Sequence, residues 1–230
     1  MSKQVIDQLK NKLIVSCQAE GDSPFNSPEG VTMFAKAAVM GGAAGIRSEG
    51  IDKTKMILKN VNVPVIGLIK SKFDDGFVRI TGRYKDVEDL LNIGVHIIAI
   101  DGTFRNRENL SGPEFINKIK SEFGCIVMAD ISNLDEALEC EKAGADLIST
   151  TLNGYTPETL SDKTKSPNYD LVKLLVEKIS SPIIAEGRIN SPEAAAKMIE
   201  IGAYSVVVGT AITRPQIITS WYVEAIKSIK

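Results

Sequence analysis

The chain has 230 residues, of which 43% are apolar and 24% charged, with a formal net charge of −2. That is ample for one sizeable core, and too balanced for a surface that grips nucleic acid or an anionic membrane. No apolar run approaches the roughly 20 residues of a membrane span, and Met1-Ser2-Lys3-Gln4 lacks the apolar stretch of a secretory leader, so a cytoplasmic protein is expected.

Runs rich in Val and Ile begin near Leu13, Ala44, Val63, Val95, Cys125, Asp146, Pro182 and Ser205. Each precedes a stretch of helical period, over residues 29–40, 53–59, 87–92, 114–123, 135–143, 169–179, 194–201 and 216–229. Continuous apolar strands alternating with amphipathic helices predict a parallel sheet covered by helices. Helix starts are well marked. Ser27-Pro28-Glu29 and Ser191-Pro192-Glu193 each offer an N-cap, a proline at the first helical position and an acid in the first turn. Asn133-Leu134-Asp135-Glu136 has the spacing of a capping box.

An internal echo supports closure of the sheet. Gly42, Gly94, Gly144 and Gly202 each join a helix end to the next strand, at separations of 52, 50 and 58 residues, about two βα units each. Four such double units make a (β/α)8 TIM barrel, expected as one domain over residues 1–230. An open doubly wound sheet would not explain a fourfold pattern filling the chain. One insertion, residues 77–82 after strand three, predicts a short extra strand pair.

The strands end in polar residues: Gln18, Arg47, Lys70, Asp101, Asp130 and Glu186. One such ending is merely a chain reaching solvent. Six of eight, with charges of both signs, predict a lined pocket at the end of a barrel where enzymes keep their sites. After strands seven and eight, Glu186-Gly187-Arg188 and Val208-Gly209-Thr210 run directly into helix starts. Glycine admits an anion close to backbone N–H groups and a helix N-terminus favours it, so these loops predict a phosphate site at Gly187, Arg188, Gly209 and Thr210. Arg188 also fits a solvated loop cation, with Gly187 alone meeting the phosphate.

The single histidine, His96, opens its strand at the end away from that face and is expected to be structural. One histidine and scattered carboxylates form no evident metal site. No Walker loop, dinucleotide fingerprint or Cys-x-x-Cys pair occurs, so no cofactor is expected. Cys17, Cys125 and Cys140 are odd in number and predict reduced thiols; a catalytic thiolate at Cys17 has no histidine nearby in sequence.

Several segments together resemble one family, the N-acylglucosamine-6-phosphate 2-epimerases, also called N-acetylmannosamine-6-phosphate epimerases. They are Val15-Ser16-Cys17-Gln18-Ala19, Gly45-Ile46-Arg47, Gly67-Leu68-Ile69-Lys70, Ala129-Asp130, Ser149-Thr150-Thr151-Leu152 with Gly154-Tyr155-Thr156, Ala185-Glu186-Gly187-Arg188, and Val208-Gly209-Thr210-Ala211-Ile212-Thr213-Arg214-Pro215. The resemblance spans essentially the whole chain. It implies a (β/α)8 fold and reversible conversion of N-acetylmannosamine 6-phosphate to N-acetylglucosamine 6-phosphate, in amino-sugar and sialic acid breakdown.

That reaction removes the proton alpha to the C1 aldehyde of the open-chain sugar, passes through an enolate, and returns a proton to the other face. Lys70 is the candidate acid/base at C2, its charged form disfavoured by desolvation and by nearby Arg47. Glu186 is the candidate partner, at the sugar oxygens or on the opposite face of C2. Arg47 would hold hydroxyls or stabilise negative charge, Gln18 and Asp130 would orient hydroxyl and acetamido groups, and Tyr155 would close over the sugar. Asp130 fits equally a cap for the helix near Asn133. Tyr155 lies in a long loop, 152–168, readable as a lid or a surface excursion. Two other functions fit parts of this inventory: a class I aldolase with a Schiff base on Lys70, and a non-catalytic sugar-phosphate sensor. The apolar final helix around Trp221-Tyr222-Val223 offers a face for a homodimer.

Overall fold

The computed structural model describes residues 2–162 and 164–229. Met1, Lys163 and Lys230 lie outside the described residues, and with them the first residue of the leader reading and one position of the 152–168 loop. In chain order the strands are β1 (Leu13–Cys17), β2 (Gly45–Glu49), β3 (Val65–Leu68), β4 (Lys70–Lys72), β5 (Val78–Ile80), β6 (Ile97–Asp101), β7 (Val127–Asp130), β8 (Leu147–Ser149), β9 (Ile183–Glu186) and β10 (Ser205–Val208). Eight of them, all but β4 and β5, pair in parallel and close into a barrel, β1 meeting β10 in the register Leu13↔Val206 to Val15↔Val208.

The eight expected helices form, one after each barrel strand, and three of their N-caps are the residues the sequence implies. Ser27, Asn133 and Ser191 accept hydrogen bonds from the N–H groups of Gly30, Glu136 and Ala194. The capping box at Asn133 does not close as expected. The Glu136 carboxylate turns one residue further back and accepts from the N–H and Oγ of Ser132, at 2.7 and 2.8 Å. The insertion is a strand pair, but its first strand is β4, whose Lys70 faces Ile80 in an antiparallel register. Lys70 therefore stands on a hairpin that leaves the barrel wall, two residues beyond the end of β3. A further helix, Ser2–Asp7, packs Val5 and Ile6 against the barrel's internal cluster at the end remote from the strand carboxyl termini. No helix among the described residues is long and apolar enough to cross a membrane.

Side chains along a strand alternate between faces, so each barrel strand sends every second residue inward. Ile14, Ile66, Leu68, Ala99, Met128, Leu147, Ile184 and Val207 form the internal cluster, while Val15, Ile46, Ile98, Val127, Ile148 and Ala185 pack outward in the clusters beneath the helices. Two residues beyond an inward apolar one, the sequence turns polar: Met128 is followed by Asp130, Leu147 by Ser149, Ile184 by Glu186. The period of two thus gathers these polar groups in the topmost interior layer.

The four joining glycines all have positive φ, between 81° and 102°. That conformation suits glycine, and the shared value confirms that the echo is one construction repeated. His96 stands beside the start of β6, its Nδ1 accepting the Val65 N–H at 3.1 Å, a structural role at the end remote from the strand carboxyl termini.

Candidate active site

At the carboxyl ends of the barrel strands lies a cavity of about 770 Å³. It is lined by Gln18, Arg47, Lys70, Tyr155, Glu186, Gly187, Arg188, Gly209 and Thr210 among others, so nine of the ten residues singled out in sequence meet there. The tenth, Asp130, lies directly beneath them. It is fully buried and grips Arg47 in a bidentate pair, Nη2 to Oδ2 at 2.5 Å and Nη1 to Oδ1 at 2.9 Å. Asp130 is no helix cap; Asn133 fills that role itself.

Arg47 reaches further. Its Nη1 donates to Glu186 Oε2 at 2.8 Å, so one guanidinium on β2 bridges two carboxylates from β7 and β9, the strands flanking β8 across the ring. Thr151 Oγ1 completes the cluster, 2.7 Å from Asp130 Oδ1 and 3.1 Å from Glu186 Oε2, and Ser149 Oγ stands 2.8 Å behind it. The neighbouring Thr150 hydroxyl accepts the Glu186 N–H at 3.0 Å and donates to its carbonyl at 2.9 Å, which fixes the strand end that carries the carboxylate. Two acids against one buried cation leave an excess of negative charge, and the less buried acid takes up the strain. Burial pushes the Glu186 carboxyl up to about 7, and Asp130 pushes the same way, while Arg47, Thr151 and Lys70 pull against them. Burial would favour loss of the Arg47 proton, yet Asp130 and Glu186 outweigh it and hold the guanidinium above its ordinary value.

Lys70 has a different neighbour from the one expected. Its ammonium is about one-third exposed and pairs with Glu20, while Arg47 is taken by the two acids. Burial works against the Glu20 charge, but Lys70 and Arg214, the latter 3.9 Å away, bring it below its usual value. A lysine with a carboxylate in contact has a local exchange partner for its proton. Cys17 is fully buried, and burial alone pushes its thiol up to about 12, so it is no thiolate at neutral pH. All three cysteines are free.

The loops after β9 and β10, expected from the sequence to hold a phosphate, bring Gly187, Arg188, Gly209 and Thr210 to the cavity. Gly187 has φ +112°, and a Cβ added to Gly209 would come within 3.3 Å of Ser16 Cβ. Arg188, however, turns to the 152–168 loop: Nη1 donates to the Asn153 carbonyl at 2.9 Å, Nη2 to Asn153 Oδ1 at 3.1 Å and Nε to the Ser166 carbonyl at 3.1 Å. Its guanidinium also stands over the Tyr155 ring. The loop is thus tied to the barrel rim at both ends and contains a 3-10 helix, Pro157–Asp162. Gln18 donates to Ser16 Oγ at 2.9 Å and borders the cavity from β1.

The sequence reading gave no role in the site to Thr151, Glu20, Arg105, Arg214 or Trp221, all of which border the cavity. Thr151 was legible as the polar ending of strand six, and Glu20 as the residue two beyond Gln18. Among the described residues no group of three or more His, Cys, Asp or Glu is placed to hold a metal ion.

A family model described as "Putative N-acetylmannosamine-6-phosphate epimerase" (NanE) matches residues 31–228. A Clostridioides difficile protein named "Putative N-acetylmannosamine-6-phosphate 2-epimerase" is 44% identical over 97% of this chain and 99% of its own length. One of the same name from Caldanaerobacter subterraneus is 47% identical, over 99% and 96%. The solved structure of the N-acetylmannosamine-6-phosphate 2-epimerase from Clostridium perfringens superimposes with a TM-score of 0.90, at 42% identity, covering 96% of this chain and 95% of that one. A barrel of the same architecture, thiamine phosphate pyrophosphorylase from Pyrococcus furiosus, agrees in fold alone, at 18% identity and a TM-score of 0.61. Whole-length likeness at this identity, together with the shared barrel, settles the relationship: the chain belongs to the N-acetylmannosamine-6-phosphate epimerase family.

Proposed function

We propose that this chain interconverts N-acetylmannosamine 6-phosphate and N-acetylglucosamine 6-phosphate by moving the C2 proton, as one catalytic domain over residues 1–230 in the cytoplasm. The observation that carries the reading is the pairing, across one cavity, of an accessible Lys70 with a Glu186 whose carboxyl titrates near neutrality. Two proton-carrying side chains on two sides of a carbon are what inversion by proton removal and return requires. Lys70, relayed by Glu20, serves C2. Arg47, fixed by Asp130, presents positive charge toward the forming enolate oxygen, and Glu186 with Thr151 handles the second proton. Gln18 orients sugar hydroxyls, and Tyr155 borders the sugar. A Schiff-base aldolase is not favoured, since the relatives named above are epimerases and Lys70 is held in an ion pair. A charged sugar phosphate does not cross membranes unaided, and three free thiols suit a reducing compartment, which supports the cytoplasmic placement.

In deuterium oxide, N-acetylmannosamine 6-phosphate should convert to its C2 epimer with deuterium entering at C2, followed by proton NMR. Activity should survive EDTA. Loss of activity with chelator, restored by a divalent ion, would refute a reaction carried by these side chains alone.

We place the phosphate at the loops after β9 and β10, whose Gly187, Gly209 and Thr210 border the cavity. Gly209→Val would force a branched side chain against Ser16, so KM for the phosphorylated sugar should rise strongly. The unphosphorylated sugar should be a poor substrate of the unaltered protein. Equal kcat/KM for the two sugars would remove the basis for this placement.

We also infer a homodimer. The last helix, Pro215–Lys227, has no buried residue, and Trp221, Tyr222, Val223 and Ile226 are exposed on it. Tyr222→Asp with Ile226→Asp should convert a dimer to a monomer in light scattering; a monomer before substitution would sink the idea.

A further inference from the structure

The cavity that Lys70 borders also holds a cation that no proton transfer uses. Arg105 follows β6, borders the cavity, and has only 10% of its side chain exposed. Its orientation is imposed from below. Fully buried Asp101 takes Nη2 on Oδ2 at 2.8 Å, and Thr103 Oγ1 takes Nε at 2.9 Å. Nη1 leans on the carbonyl of Val78, at 3.5 Å, on the hairpin. A guanidinium carries five N–H donors. Three meet acceptors among the described residues, and Nη1 and Nη2 each keep one more. Asp101 must also answer Arg107, whose Nη2 is 3.1 Å from Oδ1, so two cations share one carboxylate and the group remains net positive. A rigid, partly unsatisfied donor at a cavity edge is built to receive an oxygen atom.

Around that donor the surface is apolar. Phe77 and Val78 at the hairpin tip are 40% and 47% exposed, and Ile80 lies below them as the cross-strand partner of Lys70. A carbonyl oxygen beside a small hydrocarbon group fits this combination. In an amino-sugar substrate the acylamino group has that composition, and it is bonded to the carbon from which Lys70 takes the proton. A substituent on that carbon must lie near Lys70, whose ammonium is paired with Glu20 and whose cross-strand partner is Ile80; Val78, two residues before Ile80 on the same face of the hairpin, has its carbonyl 3.5 Å from Arg105 Nη1. The phosphate, at the opposite end of the carbon chain, belongs across the ring: β10, which leads into Gly209, is diametrically opposed to β6 in the order of strands.

We propose that Arg105, with Phe77, Val78 and Ile80 of the hairpin, forms the subsite for the acylamino group at C2, Arg105 donating to the amide oxygen and the hairpin covering the acyl carbons. The assignment rests on the epimerase reading and goes beyond it to name what selects acylated sugars.

Two open-chain analogues that cannot epimerise isolate the group: 2-acetamido-2-deoxyglucitol 6-phosphate and glucitol 6-phosphate, differing only at C2. Their Kd values are measured by calorimetry on the unaltered protein, on Arg105→Ala and on Phe77→Ala. The unaltered protein should prefer the acylated alditol. Arg105→Ala should cut that preference by about tenfold, the worth of one charged hydrogen bond, while the Kd of glucitol 6-phosphate stays put. Phe77→Ala, at an exposed tip with little risk to folding, should cut the preference severalfold. If the preference is unchanged in both variants, or if Arg105→Ala weakens the two alditols equally, as a phosphate contact would, the assignment falls. Because binding alone is read, its failure is separate from failure of the reaction itself, which the deuterium time course on the unaltered protein decides.

Discussion

Replacing Lys70 by alanine should lower kcat by about 10²–10⁴-fold with little change in KM, the signature of a lost general acid or base rather than a lost binding contact. Deuterium exchange at C2 should vanish with it. Glu186→Gln keeps size and polarity but transfers no proton, so epimerisation should fall comparably. If Glu186 serves the opposite face of C2, that variant retains exchange without inversion; if it serves the sugar oxygens, both fall together. A pH experiment tests the same carboxyl independently. Its proton is held up to about 7 in the folded protein, against an ordinary value of 4.5. Below 4.5 both folded and unfolded chains carry the proton. Between there and about 7 the unfolded chain releases it and the folded one does not, so stability drains away as pH rises through this window. Thermal melts should therefore show the unaltered protein losing more stability from pH 4.5 to 7 than Glu186→Gln. Parallel curves would contradict the burial argument, and near-native turnover of Lys70→Ala would move the base elsewhere.

Removal of the Arg47 cation should be the most damaging single change to stability. Arg47→Met leaves Asp130 charged, fully buried and facing Glu186 without a counter-ion. Breaking one side of a buried ion pair costs about 3–5 kcal/mol. For a chain of this length that corresponds to a fall in Tm of roughly 6–20 °C. Adding Asp130→Leu removes the stranded charge, and the double variant should regain much of the loss while staying inactive. A single variant that melts like the unaltered protein would mean the Asp130 charge finds another partner.

The barrel was legible because its signals are local. Proline after Ser27 and Ser191, and glycine after the helices ending before Gly42 and Gly202, act within a few residues, and the folded chain places each where it belongs. Polar strand endings were legible as well, since a carboxylate closing an apolar run has few other reasons to be there. Pairing among those endings was not. Arg47 and Asp130 are 83 residues apart, and Arg47 and Glu186 are 139 apart. Only closure of the ring brings them together, so the expectation that Arg47 would act on Lys70 could not be checked against Glu20 or Asp130. Arg188 illustrates the same point: its neighbours in sequence suggested a phosphate contact, yet its side chain is claimed by Asn153, 35 positions earlier. Lys70 looked like the end of β3 because Leu68-Ile69 precede it; the hairpin that carries it became visible only through its pairing with β5.

The glycine joints lie where helices hand over to strands, at the end of the molecule away from the cavity, and the charged cluster lies at the other. Heritable damage to this gene product therefore divides by location. A side chain at Gly42 or Gly202 would leave each surviving molecule fully competent but fewer of them standing, a defect of dosage that a chaperone or a cooler habitat relieves. A change at Lys70 or Glu186 would leave the cell well stocked with inert copies, which no increase in expression corrects.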